Sequence, residues 1–318
     1  MNPIAVEIIK TIKTNIRNVI VGKEKTTNLL LTALIAEGHV LLEDVPGTGK
    51  TLLAKSLAKS MSLAFQRIQF TPDLLPSDVT GLNYFDQKKS EFVLQKGPVF
   101  TQILLADEIN RATPRTQSSL LESMEERQVT IDGETYVLEP PFFVIATQNP
   151  VETEGTYPLP EAQLDRFLMQ VSMGYPTKEE ELEILDRFGK ENPLDTLKPV
   201  CTLKDLTVLK QEAQHTYVHP ILKSYLVDLI FATRQDSQIL NGVSPRGSLA
   251  LYRALRAYAL LQGRDFVVPE DIKELAVPVL AHRLTTARSF TRSSSNRETI
   301  ERLLSTVPLP TEDWGKRL

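Results

Sequence analysis

The chain has 318 residues, of which 42% are hydrophobic and 24% are charged, a composition typical of folded water-soluble proteins and a length suited to two domains. Its 36 basic and 40 acidic residues give a formal net charge of −4, which argues against a surface built as a whole to coat nucleic acid. The one cysteine, Cys201, cannot form a disulfide within the chain, and no apolar segment approaches the roughly 18 residues of a membrane span. We therefore expect a protein of a reducing, cytoplasmic compartment without a transmembrane helix.

Two helices are predicted before the first strand. Isoleucines at positions 4, 8, 12 and 16 recur at the spacing of one helical face and predict an amphipathic helix over residues 3–20. A second helix is predicted over residues 23–37, with Gly38 as the residue that caps its carboxyl end.

Five short apolar segments follow, near residues 40–42, 68–70, 103–106, 142–146 and 167–171. They lack the strict alternation of half-exposed strands, so each is predicted to be a strand covered on both faces. Helical sequence separates several of them, and alternation of strand and helix is typical of a parallel sheet between helices. We therefore predict an α/β fold with a five-stranded parallel sheet.

Two segments interrupt this alternation and are predicted to be hairpins inserted into the α/β domain. The first, near residues 82–94, lies in a stretch rich in proline and glycine. The second, near residues 128–137, carries Asp132 and Gly133 between two strand-like segments, which is a strong hairpin signal.

Beyond Pro176 the sequence shows no further strand-like segment. Thr177 and Glu180 form a capping box that predicts a helix through residue 188. Further helices are predicted near residues 203–213, 220–234, 245–262, 269–282 and 297–304, followed by an extended tail over 306–318.

These elements divide the chain into three parts. We predict an α/β domain over residues 1–175, a linker over 176–200 and a smaller all-α domain over 201–318.

The sharpest motif lies between the first predicted strand and the next helix, where residues 41–51 read LLEDVPGTGKT. A glycine-rich loop lets the backbone fold around phosphate oxygens, and the helix that follows presents its positive end to them. Lys50 would reach the β- and γ-phosphates of a nucleotide, and the Thr51 hydroxyl would bind Mg²⁺. The strict motif has glycine where this chain has Asp44, so a glycine-rich turn before an ordinary helix is the alternative. The predicted nucleotide contacts in this loop are Pro46, Gly47, Thr48, Gly49, Lys50, Thr51 and Leu52.

A second motif consists of an apolar strand that ends in two carboxylates, since residues 103–108 read ILLADE. Asp107 would hold Mg²⁺ through its water shell, and Glu108 would orient and deprotonate the attacking water. The alternative is that both acids only favour the first turn of the next helix.

Three longer segments carry a more specific resemblance. They read ADEINRATPRTQ at 106–117, LLESMEE at 120–126 and GTYPLPEAQLDRF at 155–167. Together they resemble the MoxR family of AAA+ ATPases over about residues 21–174, with a looser match at the SPRG sequence of residues 244–247. The resemblance implies a P-loop AAA+ core followed by a helical lid. It also implies that Asp44 is compatible with a phosphate loop, since that family resembles this variant of the motif.

The resemblance also implies roles for residues outside the two motifs. Asn149 matches sensor 1, Arg166 matches the arginine finger and Arg246 matches sensor 2. Val21 and Gly22 match the loop that packs against adenine. The alternatives are a turn before proline for Asn149, a surface salt bridge for Arg166 and an interhelical turn for Val21 and Gly22. Whether Arg246 serves the nucleotide of its own chain or that of a neighbour stays open.

The function implied by the resemblance is a Mg²⁺-dependent ATPase that forms a ring, expected to be hexameric, and remodels another protein. Relatives typically act as chaperones for protein complexes and for metal or cofactor insertion, alongside partners with a von Willebrand factor A domain. In such rings the inserted hairpins tend to face the pore and meet the substrate. Tyr84, Phe85 and Phe92 could grip a polypeptide there, and packing beneath the hairpin is the alternative.

Two other functions remain compatible with the motifs. A DNA-dependent motor would need basic hairpin tips, whereas one tip carries Asp132 and Glu134, so nucleic acid is not the expected partner. A scaffold that binds nucleotide without hydrolysis would not need the full catalytic set.

A cluster of arginines makes the region after His282 locally basic. Either it is a solvated or intersubunit face, or it contacts phosphate or a partner. Its members are Arg283, Arg288, Arg292, Arg297 and Arg302.

Overall fold

The computed structural model describes residues 2–43, 47–149, 155–286 and 293–309. The strands are β1 Val40–Glu43, β2 Phe65–Gln69, β3 Gly81–Asp86, β4 Glu91–Lys96, β5 Ile103–Asp107, β6 Gln128–Ile131, β7 Glu134–Val137, β8 Phe143–Gln148, β9 Met169–Val171, β10 Ile239–Asn241 and β11 Thr285–Thr286. The helices are α1 Pro3–Arg17, α2 Glu24–Ile35, α3 Lys50–Ser60, α4 Pro76–Thr80, α5 Pro114–Glu126, α6 Glu161–Leu164, α7 Lys178–Phe188, α8 Pro193–Thr196, α9 Leu203–His215, α10 Pro220–Gln235, α11 Pro245–Leu261, α12 Pro269–Leu280 and α13 Ser293–Thr306. Short 3₁₀ helices lie at Ile109–Arg111 and Ala281–Arg283. Within these ranges no helix is both long and apolar enough to cross a membrane.

The central sheet contains five parallel strands in the order β2-β5-β8-β1-β9. Val40 of β1 pairs with Ile145 of β8 on one side and with Met169 of β9 on the other. On β5, Ile103 stands opposite Phe143 of β8. Because all five strands run in the same direction, their carboxyl ends meet at one edge of the sheet. The predicted five-stranded parallel sheet is confirmed.

Successive residues of the inner strands enter two different hydrophobic clusters. Leu42 and Leu105 belong to the cluster that includes α1, α2, α3 and the helices after residue 200, whereas Leu41 and Leu104 belong to the cluster that includes α5. None of these four leucines has exposed surface. The inner strands are therefore buried on both faces, which explains why they lack strict alternation of polar and apolar residues. The edge strand β2 differs from the expectation, because Gln66, Arg67 and Gln69 are exposed.

Both predicted hairpins are present. Strands β3 and β4 pair antiparallel, and so do β6 and β7. Asp132 and Gly133 connect β6 to β7 with φ angles of 50° and 86°. Two successive residues of positive φ make the tight turn that suits the twist of a hairpin, so the Asp-Gly signal is confirmed.

The second half of the chain is mainly helical, as predicted, but one expectation is wrong. Beyond Pro176 the chain does contain strands, since β10 and β11 pair antiparallel with Ile239 opposite Thr286. Strands of three and two residues are too short to leave a recognisable pattern. Residues 176–200, predicted as a linker, contain α7 and α8, and most of the predicted tail lies outside the described residues. The division into domains stays a prediction.

The carboxyl end of α2 also differs from the prediction. Glu37, not Gly38, takes the left-handed conformation that ends the helix, with φ 58°. Gly38 serves close packing instead, because a Cβ at this position would lie 2.4 Å from the Cβ of Leu168.

Cys201 is buried in the hydrophobic core. Burial, reinforced by the nearby Asp205 carboxylate, raises the pKa of its thiol to about 12. The thiol therefore stays protonated at neutral pH and packs as a small apolar group.

His39 is a buried hydrogen-bonded link between β8 and α5. Its Nδ1 accepts a hydrogen bond from the Val144 backbone N–H at 3.0 Å, and its Nε2 lies 3.0 Å from the Met124 carbonyl oxygen. A carbonyl can only accept, so Nε2 carries the proton and the ring is neutral. Desolvation lowers the pKa of His39 to about 4.

The depressed pKa of His39 predicts a loss of stability in acid. As the pH falls below about 6.5, the unfolded chain takes up a proton on this ring, whereas the folded chain does so only near pH 4. Between pH 7.5 and pH 5, the free energy of unfolding should therefore fall by about 2 kcal/mol more in the native protein than in His39→Gln. Urea unfolding of both proteins at the two pH values measures this difference, and equal losses would contradict the assignment.

Candidate functional site

A cleft of about 470 Å³ lies at the edge where the parallel strands end. Its lining combines the start of α3 with the ends of β2 and β5 and the residue after β8. The lining residues are Gly47, Gly49, Lys50, Thr51, Leu52, Arg67, Gln69, Asp107, Glu108 and Asn149. The structure therefore brings together the phosphate-loop residues, the acidic pair and the sensor 1 asparagine that the sequence predicted.

The described part of the phosphate loop needs its glycines for their backbone conformation. Gly47 and Gly49 have φ angles of 85° and 87°, and no atom lies within 4 Å of a Cβ built on either. These glycines therefore permit left-handed backbone and do not make room for a neighbour. Helix α3 begins directly at Lys50. Pro46 and the variant residue Asp44 lie outside the described residues.

Thr147 connects the two acids of the cleft. Its hydroxyl donates to Oδ1 of Asp107 at 2.6 Å and accepts from the backbone N–H of Glu108 at 2.9 Å. Glu108 itself has φ 57° and ψ 47°, a left-handed conformation that costs a non-glycine residue about 1–3 kcal/mol. A buried threonine thus fixes the carboxylate of Asp107 and helps to hold Glu108 in a strained position facing the cleft.

Two further polar residues of the cleft were missed by the sequence analysis. Arg67 donates to Oδ2 of Asp107 from Nη2 at 2.7 Å and to Gln69 at 2.9 Å, and Gln69 donates to Glu108 at 2.6 Å. Both residues lie on β2, where Gln69 stands opposite Asp107 in the sheet register. The available signal was their spacing of two on a strand, which directs both side chains to one face.

The predicted finger and sensor 2 arginines lie outside this cleft and close to each other. Glu125, at the end of α5, contacts Nε of Arg166 at 3.1 Å and Nη2 of Arg246 at 2.7 Å. Arg246 also lies 3.9 Å from Asp165. The salt bridge proposed as the alternative for Arg166 is therefore present, and its role as an arginine finger stays a prediction.

Arg283 is a buried structural residue, so the solvated-face interpretation is wrong for it. Its side chain is only 3% exposed, and it donates to the Asp165 carboxylate and to the backbone carbonyls of Asp165 and Phe167. Burial lowers the pKa of Arg283, and the Asp165 carboxylate opposes that shift. Arg288 and Arg292 lie outside the described residues.

Val21 and Gly22 do not line the cleft as the structure describes it. Gly22 has φ 67°, and a Cβ there would come within 2.0 Å of the Glu180 side chain. This turn between α1 and α2 therefore packs closely against the start of α7, and an adenine contact stays a prediction.

The first hairpin presents its aromatic side chains to solvent. Phe92 is 73% exposed and Phe85 is 51% exposed, with their rings 5.4 Å apart in an edge-to-face arrangement. Packing beneath the hairpin is therefore not the role of these two rings. The first hairpin contacts the turn of the second, where Asn83 of β3 donates to Asp132 at 3.0 Å.

Comparison with known proteins agrees with both halves of this architecture. The family model of the ATPase family associated with various cellular activities (AAA) matches residues 39–169, and that of the AAA lid domain matches residues 231–303. A crystal structure of a provisionally assigned ATPase from Cytophaga hutchinsonii superposes with a TM-score of 0.88 at 42% identity, covering 96% of this chain and 95% of that one.

Curated relatives extend over nearly the whole chain. The uncharacterised protein YeaC of Bacillus subtilis is 52% identical, covering 94% of this chain and 93% of its own length. Chaperone MoxR1 of Mycobacterium tuberculosis is 45% identical, covering 93% of this chain and 80% of its own length. Combined with the AAA core and lid matches, these likenesses show that the chain belongs to the MoxR family of AAA+ ATPases.

Proposed function

We propose that the protein hydrolyses ATP to ADP and phosphate in the cleft at the sheet edge. The observation that carries this proposal is the meeting of the phosphate loop, the acidic pair and Asn149 in one cleft. Lys50 would offset charge on the β- and γ-phosphates, Glu108 would accept the proton of the attacking water, and Asn149 would orient that water. Membership of the AAA+ ATPases supports this assignment.

The donor set of the cleft fits Mg²⁺. Asp107 offers a carboxylate and Thr51 a hydroxyl to the same cleft, and Mg²⁺ binds through oxygen ligands while it keeps several waters. When bound, the ion would neutralise phosphate charge. The contribution of the chain is to hold Asp107 in place, since Thr147 and Arg67 each donate to one of its carboxylate oxygens.

The active unit that we propose is a ring of identical chains. Neither Arg166 nor Arg246 is among the described residues that line the cleft of their own chain. Their side chains are 31% and 50% exposed, so both can meet another molecule. We infer that they act on the nucleotide of a neighbouring chain, and the family resemblance favours a hexamer.

The work done by hydrolysis would be the remodelling of another protein in the cytoplasm. The name of the mycobacterial relative, Chaperone MoxR1, supports a chaperone-like role. The exposed rings of Phe85 and Phe92 offer an apolar contact for a client polypeptide. A partner with a von Willebrand factor A domain and a role in metal or cofactor insertion rest on the family resemblance alone.

The second hairpin does not favour a DNA-dependent motor. Asp132 and Glu134 make the turn of the second hairpin acidic, and binding a phosphate backbone requires basic side chains.

The hydrogen bond from Thr147 to Asp107 predicts that a substitution at Thr147 weakens the support that Mg²⁺ gives to nucleotide binding. Thr147→Val keeps the shape of the side chain but removes the hydroxyl, so the Asp107 carboxylate loses one of its two donors and is held by Arg67 alone. We expect Mg²⁺ to support binding of a fluorescent ATP analogue about 10-fold more weakly, as for other residues that orient a metal ligand. Thr147→Ser, which keeps the hydroxyl, is the matched control, and equal Mg²⁺ dependence in the two variants would contradict the assignment.

The proposed base predicts a separation of binding from hydrolysis. Glu108→Gln keeps the size of the side chain but cannot accept a proton, so turnover should fall by about 10²–10⁴, while the ATP dissociation constant changes less than about threefold. Phosphate release and equilibrium binding measure the two quantities. Lys50→Ala should instead lose binding, and unchanged turnover in Glu108→Gln would favour a different mechanism.

Action of Arg166 across the interface predicts complementation between two inactive variants. Arg166→Ala chains have an intact cleft but no finger, and Glu108→Gln chains bind ATP and still donate Arg166. In a 1:1 mixture about one interface in four joins the intact cleft of an Arg166→Ala chain to Arg166 of a Glu108→Gln chain. Roughly a quarter of the native rate should therefore return. A mixture as inactive as its components would exclude the proposed ring mechanism.

A further inference from the structure

We infer that Glu125 is a positioning residue that holds Arg166 and Arg246 side by side. Both guanidinium groups can then reach one phosphate group of the nucleotide bound to the neighbouring chain. The inference rests on the proposed function and adds to it a residue that lies in neither the cleft nor the two sequence motifs.

The geometry of the carboxylate is the first step. Oε2 of Glu125 lies 3.1 Å from Nε of Arg166, and Oε1 lies 2.7 Å from Nη2 of Arg246. Each oxygen thus serves one guanidinium, and the two cations are brought together across a single carboxylate. No other side chain in the described ranges forms an ion pair with both arginines.

The backbone on both sides of this contact is anchored. The carbonyl of Met124, the residue before Glu125, accepts a hydrogen bond from buried His39. The carbonyls of Asp165 and Phe167, on either side of Arg166, both accept from Arg283. Hydrogen bonds thus hold the backbone beside both partners of the ion pair, so this contact differs from a surface salt bridge between two mobile side chains.

The anchoring extends to the other arginine. Arg246 lies in the first turn of α11, and Ser244 just before that helix donates to Oδ2 of Asp165 at 3.3 Å. The segment that carries Arg166 and the helix that carries Arg246 are therefore joined beside Glu125.

Charge explains why a carboxylate is needed at this position. Two guanidinium groups at one point repel each other, and the buried Arg283 adds a third positive charge nearby. Glu125 and Asp165 compensate two of these three charges. The cluster keeps one net positive charge on a partly exposed surface, which suits an incoming phosphate.

The side of Arg166 that Glu125 engages is also significant. The closest contact is made with Nε, so the carboxylate engages the edge of the guanidinium nearest the chain. Arginine binds phosphate through paired N–H groups of its planar fork. A carboxylate on the Nε edge can hold the fork in one orientation while the terminal nitrogens bind the phosphate.

The complementation assay tests this inference when Glu125→Gln is placed in one or the other of the two chains. Placed in the Glu108→Gln chain, which donates the arginines, Glu125→Gln should lower the restored rate about tenfold, since misplacement by about 1 Å can cost up to 10²-fold. Placed in the Arg166→Ala chain, which supplies only the cleft, the same substitution should change the rate less than twofold.

The matched control is Glu122→Gln, because Glu122 is an exposed acid one turn earlier in α5 and forms no ion pair within the described ranges. It should leave the restored rate unchanged in either chain. ATP affinity and the melting temperature of Glu125→Gln should match those of its parent, since its side chain is one-third exposed and outside the cleft.

The outcomes separate the two proposals. If the parent mixture shows no complementation, the ring mechanism fails and the positioning role fails with it. If the parents complement but Glu125→Gln acts equally in both chains, or raises the rate, only the inference about Glu125 is overturned.

Discussion

The hydroxyl of Thr147 joins the ends of two neighbouring strands at the edge of the sheet. By donating to Asp107 on β5 and accepting from the N–H of Glu108, it fixes both acids relative to β8, which leads directly into Asn149. The threonine has no exposed surface, so water cannot replace these hydrogen bonds. In the proposed reaction the metal ligand, the base and the amide that orients water are therefore set by a buried contact, while the glycine-rich loop supplies the phosphate-binding backbone opposite them.

Positive charge is divided between two places on the molecule. Lys50 and Arg67 line the cleft with the acids, whereas Arg166 and Arg246 lie outside it and share Glu125. In the proposed reaction such a chain binds the phosphates of its own nucleotide, while neither outer arginine is among the described residues that line that cleft. Under the proposed mechanism the missing cations come from a second chain, so turnover depends on assembly.

How far the sequence could predict this structure depends on whether a signal is local. The phosphate loop and the acidic pair are short contiguous motifs next to strands, and the strands themselves are apolar segments, so both were found. Gln69 was missed because β2 shows only a weak apolar pattern. Glu125 was missed because an exposed acid at a helix end resembles any surface acid, and its partner Arg246 is 121 residues away. Residues that act through distant partners leave no pattern in a single sequence.

Asp165 couples the position of the lid helices to the position of Arg166. Its carboxylate is contacted by Ser244, Arg246 and Arg283, all from the region after β9. A Cβ at Gly247 would lie 2.4 Å from Cγ1 of Val243 and 3.0 Å from Cδ of Arg283, so the packing beside Arg283 leaves little room for a side chain there. Separating Arg283 from its carbonyl partners would leave a buried charge unpaired, which costs several kcal/mol. A movement of the lid helices would therefore have to break these contacts or carry the loop of Arg166 with it.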